Sequence, residues 1–190
     1  MVMDGKNHPM KLSVIVAVGD VEDSIGRDVR DLAAHLRERG LAFEILAVSD
    51  GSRDTSLTLL RFLCAEIPEL SVIGLARSGR AFRRAVAHAR GDAVLLWQAD
   101  RGMTFPHAVL GWAVSRLARK AAVVVRGRFV LANRLSALPI LLETSGRWID
   151  YEVRFERQAA NLGLDLEIVG PRSRRRSRHL LAPVLRILSV

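Results

Sequence analysis

The chain has 190 residues, of which 49% are hydrophobic, and it carries a formal net charge of +9. This length and hydrophobic content indicate one domain with a sizeable core and exclude an intrinsically disordered chain, whereas the positive charge favours anionic partners such as nucleotide phosphates, anionic lipids or nucleic acid. A single cysteine excludes an internal disulfide and a cysteine zinc site, and the five histidines show no metal-ligand spacing.

From Lys11 onward, short apolar runs rich in β-branched residues alternate with longer segments whose apolar residues recur at helical spacing. After Arg128 this alternation weakens, and we expect residues 129–147 to form a loop with one helical stretch, broken near Pro139 and Gly146. The apolar runs predict strands at residues 11–18, 42–49, 70–76, 92–98, 121–127 and 165–171. The remaining periodic segments predict helices at residues 25–36, 57–67, 82–89, 106–117 and 148–164.

Strands that alternate with helices of this length predict right-handed βαβ units. We therefore predict an α/β fold, with a mostly parallel, Rossmann-like sheet flanked by helices on both faces. Ligands of such sheets bind beyond the carboxyl ends of the strands, near the point where the strand order reverses. The polar residues that directly follow predicted strands are therefore the first candidates for a binding site: Asp20 and Glu22, residues 49–54, residues 77–80 and residues 98–101.

The run V-S-D-G-S-R-D-T-S (residues 48–56) passes from a predicted strand into a predicted helix. Gly51 permits a tight turn there, and Ser52 or Asp54 can cap the helix that follows. A helix cap explains these residues, but it does not explain Asp50, which stands at the end of the strand. A carboxylate at that place can accept hydrogen bonds from a base or a ribose, which makes Asp50 a candidate nucleotide-binding residue.

A second run, residues 76–106, combines a predicted helix, the turn R-G-D, an apolar strand and the sequence Q-A-D. The two runs lie about 40 residues apart, and together they resemble the family 2 glycosyltransferases, in particular the dolichyl-phosphate mannose or glucose synthase branch. The A-R-G-D sequence of residues 89–92 fits that pattern well. The resemblance covers roughly residues 11–128, and more weakly residues 147–171.

The resemblance implies the GT-A fold and the transfer of a sugar from a nucleotide diphosphate sugar. In this family a D-x-D motif holds a divalent cation, Mg²⁺ or Mn²⁺, against the donor diphosphate. Here Gln98 stands at the first Asp position and Asp100 matches the second, so the motif is degenerate and we expect metal binding to be weak or absent. Ser49 likewise replaces the first Asp of an Asp-Asp-Gly-Ser motif whose other residues match.

The resemblance also assigns the nucleotide side of the site. Asp50 would fix the nucleoside, with Ser52 beside it and with Asp20 at the position of an Asn in the family's first-strand motif. Arg77 and Arg80 follow a predicted strand close to a helix N-terminus, where phosphates bind, and guanidinium groups can neutralise a diphosphate without a metal. The alternative for these arginines is a solvated helix face.

The catalytic base of the family is a carboxylate on the acceptor side, after the fifth strand. The sequence G-R-W-I-D-Y-E (residues 146–152) resembles the start of the corresponding helix, and Asp150 and Glu152 are the two candidates. They lie two residues apart and do not share a helix face, so only one of them can point into the site. Asp150 fits equally well as a first-turn acid that the helix dipole favours.

Residues 1–171 are predicted to form the domain, and residues 172–190 a basic tail with a short amphipathic helix. Five arginines in residues 172–178 precede apolar residues at helical spacing, which are Leu180, Leu181, Val184, Leu185 and Leu188. This combination suits an anionic membrane surface, and a C-terminal helix packed on the core is the alternative. The scarcity of aromatic residues argues against nucleic acid as the partner.

No apolar run reaches the ~18–20 residues that span a bilayer, and the first residues lack the apolar core of a signal peptide. We therefore expect a cytoplasmic protein with peripheral association at the inner membrane face. The predicted function is transfer of a hexose from a nucleotide diphosphate sugar to an acceptor such as a polyprenyl phosphate. The alternative is a catalytically degenerate GT-A protein that binds a nucleotide or a protein partner, which Ser49, Gln98 and a short acceptor region favour.

Overall fold

The computed structural model describes residues 10–50, 52–75, 81–99, 104–143 and 148–170. Within these residues the strands are β1 Lys11–Val18, β2 Ala42–Asp50, β3 Leu70–Leu75, β4 Ala93–Ala99, β5 Ala122–Val125, β6 Phe129–Asn133 and β7 Leu166–Val169. The helices are α1 Ile25–Glu38, α2 Ser56–Leu63, α3 Ala81–His88, α4 His107–Arg116, α5 Arg134–Glu143 and α6 Trp148–Asn161. The predicted tail, residues 172–190, lies outside the described ranges.

The described strands form one seven-stranded sheet in the order β3-β2-β1-β4-β6-β5-β7. β1 pairs in parallel with β2 and with β4, and β2 pairs in parallel with β3. The predicted α/β fold with a mostly parallel sheet is therefore confirmed. Among the helices described, none combines the length and the hydropathy that a bilayer crossing needs.

The interpretation of residues 129–147 as a loop with one helical stretch is wrong at its start. Phe129–Asn133 form β6, which lies antiparallel between β4 and β5. A tight turn at residues 126–128 joins β5 to β6, and Gly127 adopts a positive φ of 71° there, which favours glycine. Helix α5 then begins directly at Arg134 and continues through Pro139.

The antiparallel strand determines which loops meet at one edge of the sheet. Because β6 runs against both β4 and β5, β5 is parallel to β4, and β7 is parallel to β5. The carboxyl ends of β1, β2, β4 and β5 therefore lie at the same edge, which we call the carboxyl edge. The β5–β6 turn lies at this edge as well, because β6 runs antiparallel to β5. This turn was not predicted from the sequence, since no strand was predicted in residues 129–147.

Two apolar layers hold the sheet between helices. On one face α1, α2 and α4 cover a core that includes Leu32, Leu60 and Trp97. On the other face α3, α5 and α6 cover a second core that includes Val86, Leu141 and Phe155. Burying this much apolar surface on both faces is the main stabilising term for a chain of this size.

The A-R-G-D run that supported the resemblance lies at the opposite, amino edge of the sheet. The backbone N–H of Gly91 donates to Ser13 Oγ at 2.7 Å, and that hydroxyl donates to the buried Glu44 carboxylate at 2.7 Å. The backbone N–H of Arg90 donates to the same Glu44 oxygen at 2.6 Å. A Cβ on Gly91 would stand 2.5 Å from the backbone nitrogen of Ser13. This run therefore joins the starts of β1, β2 and β4, far from the carboxyl edge.

Candidate functional site

The loops that follow β1 and β2 are joined by side chains that sequence analysis assigned to the nucleotide. The Asp20 carboxylate accepts a hydrogen bond from the backbone N–H of Arg53 at 2.7 Å. The Ser52 hydroxyl lies 3.2 Å from the same carboxylate oxygen. The structure thus brings Asp20 and Ser52 together at the carboxyl edge, across more than thirty residues of sequence.

A reciprocal pair of bonds completes the connection between these loops. The backbone N–H of Glu22 donates to Asp54 Oδ2 at 3.0 Å, and the backbone N–H of Thr55 donates to Glu22 Oε2 at 3.0 Å. Asp54 also accepts bonds from the Ser52 hydroxyl at 2.6 Å and from the backbone N–H of Ser56 at 3.0 Å. We call Asp20, Glu22, Ser52 and Asp54 the loop lock. Of the two predicted capping residues, it is Asp54 whose carboxylate accepts the N–H at the start of α2.

The loop lock holds a charged carboxylate. Burial raises the pKa of Asp54, but the hydrogen bonds that Ser52, Ser56 and the Glu22 backbone donate to it outweigh this effect. The pKa of Asp54 consequently lies well below the usual range of an aspartate. Asp54 is therefore ionised at neutral pH, and its charge stabilises the arrangement of both loops.

Near the end of β2, the side chain of residue 49 is neutral. Ser49 is fully buried, and its hydroxyl accepts a hydrogen bond from the backbone N–H of Ser52 at 3.0 Å. Ser49 therefore keeps the turn but adds no charge. Asp50 is the last residue of β2 and is aligned with Leu75 of β3, and its side chain lies outside the described part of the structure.

At the end of β4, Gln98 is half-buried between the buried Trp97 and Ala99. Its Cα is aligned with that of Ala17 on β1, and Ala17 is aligned with Val48 on β2. Strands lie ~4.8 Å apart, so Gln98 stands about 10 Å from Val48 across β1. Gln98 alternates with Trp97 and therefore lies on the sheet face that α3, α5 and α6 cover.

The β5–β6 turn places a glutamate at the same edge. The backbone N–H of Gly127 donates to Glu152 Oε2 at 2.9 Å. Arg126 forms two bonds, of 2.8 and 2.7 Å, with the Glu156 carboxylate one helical turn further along α6. Burial raises the pKa of Glu152, and Glu156 raises it too, while the bond from Gly127 and the charge of Arg126 only partly oppose the rise.

The strand order arranges these groups along the edge. From the loop lock beside β1 and β2, the edge passes Gln98 on β4 and reaches Glu152 at the β5–β6 turn. Two strand spacings, about 10 Å, separate β4 from β5, and four spacings, about 19 Å, separate β2 from β5. The edge therefore carries the loop lock at one end, Glu152 at the other end and the polar amide of Gln98 between them.

Several predicted site residues cannot be located by their side chains. Asp150 lies in the first turn of α6, but its side chain, like that of Asp50, is outside the described part. Asp100, Arg77 and Arg80 lie outside the described ranges altogether. Among the residues that the structure describes, no group of three or more His, Cys, Asp or Glu side chains can hold a metal ion.

Sequence reasoning missed the contact between Gly127 and Glu152. The signal was present as two apolar runs, residues 121–125 and 129–133, separated by the short turn R-G-R. This turn lacks the Asn-Gly or Asp-Gly pair that marks a tight hairpin most strongly. The hairpin was therefore interpreted as the end of a strand followed by a loop.

Known proteins share this architecture. A search of curated proteins found no match. The mannosyltransferase PcManGT from Pyrobaculum calidifontis, solved with GDP-Man and Mn²⁺, superposes with a TM-score of 0.69 at 17% identity over 88% of this chain and 57% of that one. Glucosyl-3-phosphoglycerate synthase from Mycobacterium tuberculosis, solved with Mn²⁺, UDP and phosphoglyceric acid, gives 0.61 at 19% identity over 88% and 72%.

These structural likenesses show that the chain has a GT-A-like fold, and the chain spans little more than half the length of the Pyrobaculum enzyme. The family model described as glycosyl transferase family 2 matches residues 13–164. That range includes the loop lock, the end of β4 and Glu152. The chain therefore belongs to glycosyl transferase family 2.

Proposed function

We propose that this chain transfers a hexose from a nucleotide diphosphate sugar to an acceptor. The observation that supports the proposal is the order of groups along the carboxyl edge: the loop lock, then Gln98, then Glu152. A donor that lies along this edge would place its nucleoside by β2 and its sugar between β4 and β5. The GDP-Man and UDP complexes of the two similar structures support the donor class.

On the nucleotide side, Asp50 would bind the nucleoside from the end of β2. Asp20 and Ser52 hold the two loops in place through the loop lock, so the nucleoside site would be formed before the donor arrives. Arg77 and Arg80 would bind the diphosphate, since guanidinium groups form paired bonds with phosphate oxygens.

A divalent cation, Mn²⁺ or Mg²⁺, would supply positive charge for the departing nucleoside diphosphate. Asp100 would hold it together with donor phosphate oxygens and water, and Gln98 would add a neutral amide oxygen. This donor set is adequate for Mg²⁺, which often uses only one or two protein carboxylates. With one carboxylate fewer than a D-x-D motif provides, we propose that metal affinity without the donor is low.

On the acceptor side, Glu152 is the proposed catalytic base. Its raised pKa makes the ionised carboxylate a stronger proton acceptor for a hydroxyl nucleophile. Asp150 is the alternative base. A phosphate acceptor, which is already ionised at neutral pH, would need no base, so removing the Glu152 carboxylate tests which kind of acceptor the chain uses.

The finer proposal is that the acceptor is a polyprenyl phosphate, as in the dolichyl-phosphate synthase branch, and with this acceptor Glu152 would not act as a base. The basic tail, residues 172–190, would then bind the anionic inner face of a membrane. Gly170 supports this proposal, because it lies at the carboxyl edge and its carbonyl accepts a bond from Arg126 at 3.3 Å. The described part of the chain therefore ends, at Gly170, beside Arg126 at the carboxyl edge. Vesicle flotation of the full chain, with and without the five arginines of residues 172–178 changed to serine, tests this role.

Calorimetry with UDP-sugars and GDP-sugars, with and without Mn²⁺, tests the proposed function. We expect metal-dependent binding that Asp50→Ala and Asp100→Ala each weaken about 10- to 100-fold, the usual effect of losing a charged hydrogen bond or ligand. Asp165→Ala is the matched control, because Asp165 is an exposed aspartate at the amino edge that pairs with Lys120. Absence of nucleotide binding under every condition would refute the proposal.

A second candidate is a non-catalytic family member that binds a nucleotide or a protein partner. Two observations favour it: Ser49 uses its hydroxyl to hold the turn, and Gln98 brings no charge to the end of β4. Binding of a nucleotide sugar without any transfer or hydrolysis of the sugar would support this candidate. Restoring the motif with Gln98→Asp should then increase Mn²⁺-dependent binding.

A further inference from the structure

The outer surface of α3, α5 and α6 carries exposed arginine and aliphatic side chains. We call it the basic face, and we define it by six exposed residues: Arg83, Arg84, Leu135, Val153, Arg154 and Arg157. The three helices lie side by side and bury their inner residues on one face of the sheet. The six residues therefore point away from the sheet.

The basic face is charged with one sign. Among the described side chains of α3, α5 and α6, none of the exposed ones is acidic. Glu152 and Glu156 are half-buried and are engaged by Gly127 and Arg126. The opposite helical layer has mixed charge instead, because exposed arginines of α1 form ion pairs there.

Aliphatic side chains are exposed among these arginines. Leu135 is 88% exposed and Val153 is 55% exposed, and Leu162, directly after α6, is 62% exposed. Exposing a large aliphatic side chain has a free-energy cost, so exposed aliphatic side chains on a face that also carries arginines favour a surface that a partner covers. Among the side chains that the structure describes on these helices, no exposed one is Phe, Tyr or Trp, which disfavours single-stranded nucleic acid as the partner.

We propose that the basic face docks on an anionic lipid surface. The arginines would bind lipid phosphates, and Leu135 and Val153 would enter the boundary between headgroups and acyl chains. This surface belongs to the folded domain and is separate from the basic tail. It is adjacent to the acceptor side, since Val153 follows Glu152 in the first half of α6. Docking would thus bring the acceptor side close to molecules held in the membrane.

The test compares two triple variants of the full chain. Arg83→Glu, Arg84→Glu and Arg157→Glu change the basic face. Arg27→Glu, Arg61→Glu and Arg119→Glu, which replace exposed arginines of the other layer, are the matched control. Each exchange replaces a positive charge with a negative one and so lowers the net charge by two, which gives both variants a formal net charge of +3 instead of +9. Binding is measured by sedimentation with phosphatidylcholine vesicles that contain or lack phosphatidylserine.

We expect the basic-face variant to lose about 100-fold in partitioning to the phosphatidylserine vesicles, since each arginine near such a surface contributes about a fivefold effect. The control should lose only a few-fold. Equal losses would show that net charge alone drives binding, and no loss in either variant would show that the face does not dock. Both results overturn the proposal.

A third variant tests the aliphatic contribution. Leu135→Ser with Val153→Ser should release the chain from anionic vesicles at high salt, where charge attraction is screened. Binding of a single-stranded RNA in place of vesicles would also overturn the proposal. Nucleotide-sugar binding is measured for every variant as a control. A variant that loses vesicle binding but binds the nucleotide sugar like the native chain has lost docking alone, so this result does not bear on the proposed function.

Discussion

Replacing Gly91 with alanine should destabilise the fold without touching the carboxyl edge. The added Cβ would stand 2.5 Å from the Ser13 backbone nitrogen, 2.7 Å from its hydroxyl oxygen and 2.8 Å from the Lys11 carbonyl oxygen. These atoms belong to the central strand β1, so the strand cannot give way cheaply. Relieving the clash must move the backbone of residue 91 away from the Ser13 hydroxyl, to which its N–H donates. The same hydroxyl donates a hydrogen bond to the buried Glu44 carboxylate.

Two terms set the size of the effect. Overpacking of a well-packed interior costs ~1–3 kcal/mol, and a weakened buried hydrogen bond costs ~1–2 kcal/mol more. The sum, ~2–5 kcal/mol, is a large part of the ~5–15 kcal/mol by which most domains are stable. For a chain of this length it corresponds to a fall in Tm of roughly 4–20 °C.

Thermal and urea denaturation followed by circular dichroism measure this loss. Gly19→Ala is the matched control, because nothing lies within 4 Å of a Cβ at that position. We expect the control to change the free energy of unfolding by less than ~0.5 kcal/mol. If Gly91→Ala has the same Tm as the native chain, the close contact between the start of β4 and β1 does not require glycine at this position. That result would refute the structural explanation of the A-R-G-D run.

Three further predictions concern the loop lock, the proposed base and a histidine pair. Asp54→Asn should cost ~1–3 kcal/mol of stability in urea titrations, because it weakens charge-assisted bonds. Glu152→Gln should lower kcat for a hydroxyl acceptor about 10²- to 10⁴-fold but spare a phosphate acceptor. The ring centroids of His35 and His107 lie 4.7 Å apart, and burial is the main cause that lowers the pKa of both side chains from the usual 6.5. Because the unfolded chain then binds protons more readily, the free energy of unfolding should fall as the pH drops below 6.5, and less so in His107→Gln.

Most of the sheet could be predicted because most of its strands are short apolar runs bounded by turn residues, which can be recognised in the local sequence. Residues 11–18 and 93–99 are apolar runs between turn residues, and they form β1 and β4 with shifts of one residue at most. Phe129–Asn133 are just as apolar and just as buried. They were missed because a βαβ alternation leaves no place for an antiparallel strand, and only pairing with β4, more than thirty residues earlier, reveals it.

The site was predicted less completely, because its contacts join residues that are distant in the chain. Asp20 and Ser52 were both candidates, but the bond between their loops depends on the register of β1 with β2. Asp150 and Glu152 were equal candidates by position; Glu152 accepts a hydrogen bond from Gly127, 25 residues away, whereas the Asp150 side chain lies outside the described part of the structure. Sequence pattern identifies chemical groups, whereas the topology decides which of them meet.

The unpredicted strand β6 has a direct consequence for the proposed reaction. If β5 paired with β4, one strand spacing of about 5 Å would separate the end of β4 from the turn that binds Glu152. With β6 between them the separation is about 10 Å, which leaves room for a sugar ring between Gln98 and the glutamate. Because β6 is antiparallel, the β5–β6 turn also lies at the carboxyl edge, and a hydrogen bond from Gly127 holds Glu152, the proposed base, there. A single antiparallel strand therefore sets both the distance and the side from which an acceptor would approach.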